Sequence, residues 1–257
     1  MTNTYIYIST GSVIIIGDNF VSEQVYTDFK RYSKFKTKSY NSTNAINKTD
    51  KILCIIDCSF NNKIQDDTID FASKNDIKKV IILNHWKRNL KKIDDLIIVQ
   101  LIVFDIYGNN HPSFSRMGPG NGFDNEINYC SLISESIRRI HESKVGFVPN
   151  TYIYYTEENI KYLHVSNLYN LLNYTMTNVN KNSEYEIYDE YRHIGNVIDR
   201  IKNSMDYQGN VVINIGESRN NYGIKRLPLR YTYNSLDYNL KQIYRYLTVN
   251  NDRFLIY

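Results

Sequence analysis

Val13-Ile14-Ile15-Ile16-Gly17-Asp18-Asn19-Phe20-Val21-Ser22 decides the fold: four β-branched apolar residues stop at a glycine, and Phe20, Val21, Val25 and Phe29 then recur at helical spacing. The pattern predicts strand, tight turn, helix. Working outward, the same alternation returns. Ile52 to Ile56 (ILCII) predicts a buried strand, Thr68 to Asn75 a helix and Val80 to Leu83 (VIIL) another strand, and Leu96 to Tyr107 (LIIVQLIVFDIY) predicts one more before the turn Gly108-Asn109-Asn110. Short apolar runs separated by helical patterns can bury both faces only in a doubly wound layer with right-handed crossovers. The expected class is therefore α/β, a Rossmann-like parallel sheet over residues 1–108, with later strands free to complete it.

Beyond residue 108 the composition shifts, and a smaller α+β region is expected over residues 109–257. The loop Gly118-Pro119-Gly120-Asn121-Gly122 leads to Asp124, the expected N-cap of a helix carrying Ile127, Leu132, Ile133, Ile137 and Ile140. Asp189 to Met205 and Leu236 to Leu247 read as helices, and Thr151 to Tyr155, Tyr162 to Val165 and Val211 to Ile215 as short strands.

With 257 residues and 42% apolar content the chain can fill a real core, which excludes a disordered chain. Its longest nearly unbroken apolar stretch, Leu96 to Phe104 with Gln100 interrupting it, is far short of the roughly 20 residues of a membrane span. Met1 to Tyr7 carries no basic segment, so no secretory signal is read and a cytoplasmic location is expected. Three cysteines, Cys54, Cys58 and Cys130, form no closed disulfide set and are expected reduced. A net charge of +4 points to neither nucleic acid nor membrane as a partner. The densest basic run, Lys30 to Lys38 with Tyr32 and Phe35 interleaved, reads first as a solvated helix end. Five histidines at no metal-ligand spacing predict no metal site, and the nucleophile-elbow and P-loop patterns are absent.

Several segments, in order, resemble one family: the extended short-chain dehydrogenase/reductases that epimerise, dehydrate or reduce nucleotide sugars. Val13 to Ser22 is similar to that family's first strand and TGGxGFIG turn with most glycines replaced. Asp50 to Ser59 (DKILCIIDCS) is similar to the strand before the cofactor-contacting segment, and Lys78 to Asn84 (KKVIILN) to the strand that ends in a catalytic Ser or Thr. Phe104 to Pro112 (FDIYGNNHP) resembles the NVYGP turn, and Tyr162 to Leu168 (YLHVSNL) the FIHVDDLA segment, which a helix follows. The resemblance implies NAD or NADP lying across Gly17, Phe20 and Ser59. It also implies a nucleotide sugar near Tyr107, His111, Arg116, Gly118, Gly120 and His164.

The departures limit what carries over. The family's Tyr-x-x-x-Lys pair belongs between the strand ending at Asn84 and the one ending at Tyr107, where the phenol exchanges a proton with the sugar oxygen. Here the interval His85 to Asp95 (HWKRNLKKIDD) holds no tyrosine and leaves only a stub of a helix. Asp18, Asn19 and Ser22 stand where glycines let a pyrophosphate approach, so cofactor binding is expected weak or absent. The first expectation is a catalytically degenerate protein that binds, interacts with a protein partner or a second copy, or serves structurally. The alternative is an active enzyme with a rearranged acid/base, for which His85 with Lys87, Lys91 and Lys92 is a candidate. A nucleic-acid-associated protein is the weaker third.

Overall fold

The computed structural model describes residues 11–47, 51–108, 131–146, 150–155, 158–215 and 223–249. In chain order, β1 (Ser12–Ile16), α1 (Phe20–Tyr32), β2 (Lys36–Tyr40), β3 (Ile52–Asp57), α2 (Asn62–Lys74), β4 (Lys79–Asn84) and β5 (Ile97–Ile102) come first. They are followed by β6 (Asp105–Tyr107), α3 (Leu132–Val145), β7 (Asn150–Tyr155), β8 (Asn159–His164), α4 (Leu168–Asn178) and β9 (Ser183–Glu186). The last are β10 (Glu190–His193), α5 (Ile194–Ser204), β11 (Asn210–Ile215) and α6 (Leu236–Val249). The chain divides into two compact units. One runs to Ile102 and adds Leu168–Glu186; the other comprises Val103–Asn167 and everything from Ile187 on.

The first unit is built on a six-stranded sheet ordered β2-β1-β3-β4-β5-β9, every neighbouring pair parallel. Side chains of a strand alternate between faces, so Ile14, Ile16, Ile55, Val80, Ile82 and Ile98 pack on one side with Ile69 and Ala72 of α2. The opposite set, from Val13 and Ile15 to Val99 and Leu101, is equally dry. It meets α1 and α4, whose Phe29 and Tyr169 rings touch edge-on at 5.0 Å. Both faces of the central strands are covered, which is why their sequences read as unbroken apolar runs. Each such isoleucine contributes roughly 1.5–3 kcal/mol of burial.

The connection from β4 to β5 contains no helix. Residues 85–96 cross in extended and bent form, laying Leu90, Ile93 and Leu96 over the α2 face of the sheet in its place. Three apolar side chains thus close a face that a full helix would otherwise cover.

The second unit holds a three-stranded sheet, β10-β8-β6, and a parallel pair, β11-β7. Its core gathers Leu132, Ile133, Ile137 and Ile140 of α3, Val197, Ile198 and Ile201 of α5, and Leu240 and Ile243 of α6.

Several elements differ from the sequence reading. Leu96 to Tyr107 is two strands in two units, because the chain turns at Val103-Phe104 and Asp105–Tyr107 then pair with β8 in another sheet, the buried Asp105 side chain accepting from the start of α3. The helix expected from Thr68 begins at Asn62, since the Asn61 side chain accepts from the amides of Lys63 and Ile64 and sustains a polar first turn. Asp189 to Met205 is not one helix: Glu190–His193 pairs antiparallel with β8 before α5 begins. Strands β2 (KTKSY) and β9 (SEYE) carried no apolar run because they are the outer strands of the sheet. The Asp124 cap and residues Ile127, His111, Arg116 and Gly118 to Gly122 lie outside the described residues. Helix α3, which carries Leu132, Ile133, Ile137 and Ile140, starts at Leu132 with Ser131 as its N-cap.

Candidate functional site

The strand order reverses at β1, which sends the chain to β2 on one side and to β3 on the other. In open parallel sheets ligands lie at this switch point, outside the carboxyl ends of the strands. The turn here is tight. Gly17 has φ +147°, and a Cβ on it would come within 2.9 Å of Ser22 Cβ and 3.1 Å of the Cys58 carbonyl oxygen, so no other residue fits.

The first turn of α1, whose amides would face an anion, is closed by the chain itself. Asn19 Oδ1 accepts from the Val21 and Ser22 amides, each at 3.0 Å, and the Ser22 hydroxyl accepts from the Asn19 amide at 3.1 Å, a capping box. Asn19 Nδ2 donates to the Cys58 carbonyl at 2.7 Å, which ties the turn to the end of β3. A glycine-rich turn leaves those amides for a pyrophosphate; this one does not, and its residues do not fit a dinucleotide in that manner.

At the end of β3, Asp57 is fully buried and accepts from the Ser59 amide and hydroxyl, at 2.9 and 2.6 Å, and from the Thr68 hydroxyl at 2.7 Å. Burial raises its carboxyl above the ordinary range, partly offset by those donors. The next turn puts Phe60 at φ +55°, a left-handed conformation that a bulky side chain adopts only under constraint. Its ring stacks on His85 with centroids 4.4 Å apart and planes 1° from parallel.

A polar group sits under the helix-free crossover. Arg88 Nη1 donates to Gln65 Oε1 at 2.8 Å, and Gln65 Nε2 donates to Asn84 Oδ1 at 2.8 Å. The Arg88 amide donates to Gln100 Oε1 at 3.1 Å, and its guanidinium grips Asp66 with both carboxylate oxygens. The guanidinium and the backbone amide of Arg88 only donate, so these bonds fix the orientations of all three side-chain amides and leave Asn84 Nδ2 and Gln100 Nε2 buried with no hydrogen-bond partner among the described residues.

In the second unit Tyr107 and His164 are brought together, their rings edge-on at 5.0 Å. Tyr107 is 1% exposed and its hydroxyl accepts from Asn239 Nδ2 at 3.1 Å. Beside them Asp189 accepts from the His164 amide (2.8 Å), Asn167 Nδ2 (2.8 Å) and the Tyr231 hydroxyl (2.5 Å). Burial pushes the Asp189 carboxyl up to about 6 and the His164 imidazole down to about 4. Asp105 is raised to about 7 by burial; it accepts from the Ser131 hydroxyl and the Leu132 amide, both at 2.6 Å. The first turn of α3 is thus occupied by the protein's own carboxylate.

Of the residues expected at a cofactor, Gly17, Phe20 and Ser59 all lie at the carboxyl edge of β1 and β3. Of those expected at a sugar nucleotide, Tyr107 and His164 are neighbours, while His111, Arg116, Gly118 and Gly120 are outside the described residues. His85 stands at the end of β4, its ring on Phe60; Lys87 pairs with Glu184 at 2.7 Å and Lys91 with Asp70 at 3.5 Å. Sequence reasoning missed Asp57, Gln65, Arg88, Asn167, Asp189 and Tyr231. Of these only Asp57 carried a signal, an acid closing an otherwise apolar strand. Among the described residues no three His, Cys, Asp or Glu side chains are grouped as a metal would require, and no helix is long and apolar enough to cross a membrane.

No protein-family profile and no curated protein sequence matches the chain. Solved structures do. A GDP-L-fucose synthetase from Naegleria fowleri, bound to NADP, superposes with a TM-score of 0.65 at 10% identity over 94% of each chain. A GDP-D-glycero-L-gluco-heptose synthase from Campylobacter jejuni, in the presence of NADPH, gives 0.65 at 14% identity over 94% of this chain and 100% of the other. A UDP-N-acetylglucosamine 4-epimerase from Bacillus cereus gives 0.62 at 11% identity, over 93% and 96%. The chain has the Rossmann-like fold of these nucleotide-sugar enzymes over nearly its whole length.

Proposed function

We propose that the chain is a nucleotide-sugar reductase or epimerase in fold that has given up hydride transfer and serves as a binding or interaction subunit. One observation carries the reading: the donors at the first turn of α1, where a pyrophosphate would sit, are satisfied by Asn19. The crossover after β4 agrees with it, having neither a helix nor a tyrosine in residues 85–95 where the family resemblance calls for Tyr-x-x-x-Lys. A general acid that is missing from a proton-coupled hydride step removes roughly 10²- to 10⁴-fold in rate. Binding of NAD(H) or NADP(H) is accordingly weak or absent in this reading. A nucleotide sugar remains the ligand of first choice, at Tyr107, His164 and the loop with Arg116, Gly118 and Gly120. Free, buried Cys54 and Cys58 suit an intracellular, reducing compartment.

The second reading is an active nucleotide-sugar epimerase, dehydratase or reductase with a rearranged acid/base. It is favoured by the kind of proteins that share the fold and by the shifted group of Asp189, His164 and Tyr231, since perturbed titratable clusters gather at catalytic sites. Titration calorimetry with NADH, NADPH and UDP- and GDP-sugars, followed by a turnover assay with both cofactors, separates the two. Sugar-nucleotide binding without turnover supports the first; cofactor-dependent turnover replaces it with the second.

A further inference from the structure

The edge of the first unit's sheet opposite to the candidate site, where the strands begin, carries a row of cations that the proposed function does not use. Lys36 opens β2, Lys51 immediately precedes β3, Lys78 immediately precedes β4 and Lys181 stands two residues before β9. All four are exposed, and none is in an ion pair with a described residue. In the sheet order they mark positions from one outer strand to the other. At about 4.8 Å per strand spacing, the five spacings of the six-stranded sheet make a row about 24 Å long.

At the β2 end the row continues into α1, where Lys30 and Arg31 occupy the last turn and Tyr32 is 57% exposed. Arg31 lies over the Tyr32 ring at 5.2 Å, and Lys34 over Phe35 at 5.6 Å. The opposing acids at this edge are Asp76, Asp94 and Asp95; Asp94 and Asp95 line one cleft with Lys78 and Lys181 without an ion pair to either. Cations in last helical turns complement the helix dipole, which accounts for Lys30, Arg31 and Lys74. The four at strand starts lie outside those turns, so the dipole gives no reason for them. A linear row of point charges with an aromatic ring at its end matches a polyanion whose charges are strung along one chain and whose planar groups stack.

We propose that this edge binds the sugar-phosphate backbone of a single-stranded nucleic acid, with Tyr32 stacking on a base. A flat anionic membrane suits it less, because the four cations follow one edge of the sheet in a line instead of spreading over a face. The inference is independent of the site at the carboxyl edge and stands or falls apart from it.

The test is fluorescence anisotropy of the full chain with a labelled single-stranded RNA of roughly 16 nucleotides over a salt series, beside sedimentation with phosphatidylserine vesicles. About four phosphate contacts predict a slope of log affinity against log salt near −3. K36Q/K51Q/K78Q/K181Q, with its fold checked by circular dichroism, should lose at least about tenfold in affinity and most of that slope, and Tyr32→Ala about tenfold at unchanged slope. Should the quadruple variant not fold, K36Q/K181Q, at the two ends of the row, should halve the slope. Absent RNA binding at low salt, equal binding by the folded variants, or capture by vesicles but not by RNA each overturns the proposal.

Discussion

Replacing Asn19 by alanine takes away three hydrogen bonds at one turn, and their worth follows from the geometry. Losing the cap on the Val21 and Ser22 amides costs about 1 kcal/mol. The 2.7 Å bond from Asn19 Nδ2 to the Cys58 carbonyl, which links the turn to β3, is worth about 1 kcal/mol more. Asn19→Ala should therefore destabilise the first unit by about 2 kcal/mol. The only tryptophan, Trp86, lies in that unit, so its fluorescence during urea unfolding reports on it without signal from the other. With a slope of about 2 kcal/mol per molar urea, the midpoint should fall by about 1 M at unchanged slope. Asn19→Gly is the companion variant. Glycine caps a helix nearly as well, so it should lose only about half as much, yet it leaves two amides open to an anion. Inorganic pyrophosphate should then protect Asn19→Gly against urea and leave the natural chain unchanged. A midpoint shift below about 0.2 M in Asn19→Ala, or pyrophosphate protection already present with Asn19, would refute the claim that this side chain closes the seat.

Gly17→Ala should cost about 2–3 kcal/mol in the same assay, since the left-handed φ and the 2.9 Å approach of its Cβ to Ser22 must both be relieved. Arg88→Ala keeps the backbone amide on Gln100 but leaves Gln65 Oε1 and the Asp66 carboxylate without their guanidinium donor, and should raise hydrogen exchange over residues 85–96; Arg88→Lys should rescue little, because an ammonium lacks the fork that holds Gln65 and Asp66 together. Asp105 titrates at about 7 when folded and near 3.9 when unfolded, so its protonated form stabilises the fold below pH 4 and that contribution fades as pH rises through 7. The stability of the natural chain relative to Asp105→Asn should drop by roughly 2 kcal/mol between pH 5 and pH 8, measured by urea unfolding followed by far-ultraviolet circular dichroism. His164 works the other way, its contribution being present above pH 6.5 and lost as pH falls toward 4, and His164→Phe should remove that acid loss from the same curves.

The central strands were legible because burial on both faces leaves a mark one residue wide and several long, as in Val13–Ile16 and Val80–Leu83. The outer strands were not, since KTKSY and SEYE pair on one side only and need no apolar run. The break at Val103-Phe104 escaped notice for a related reason: apolar residues line both the end of one unit's strand and the start of the other unit's, and periodicity cannot see that the sheet has changed. Gly17 announced the turn, but a sequence does not tell whether Asn19 points at a ligand or back at its own helix. Its neighbour three residues on, Ser22, is the readable sign of a closed cap, as the partner in the capping box. Asp189 and Tyr231 stand 42 residues apart and meet only through the fold, which leaves no local pattern to read. The missing Tyr-x-x-x-Lys was visible at once, and the structure adds what replaced its helix: Leu90, Ile93 and Leu96 laid over the sheet, with Arg88 and two buried amides beneath.

The most direct test of the central claim is titration calorimetry of the folded chain with NADPH. A closed pyrophosphate seat predicts no heat of a specific complex, or a dissociation constant no tighter than about 1 mM, equivalent to about −4 kcal/mol. A one-to-one complex with a dissociation constant of about 1 μM would contradict the account and make the chain a cofactor-dependent nucleotide-sugar enzyme with a remodelled turn.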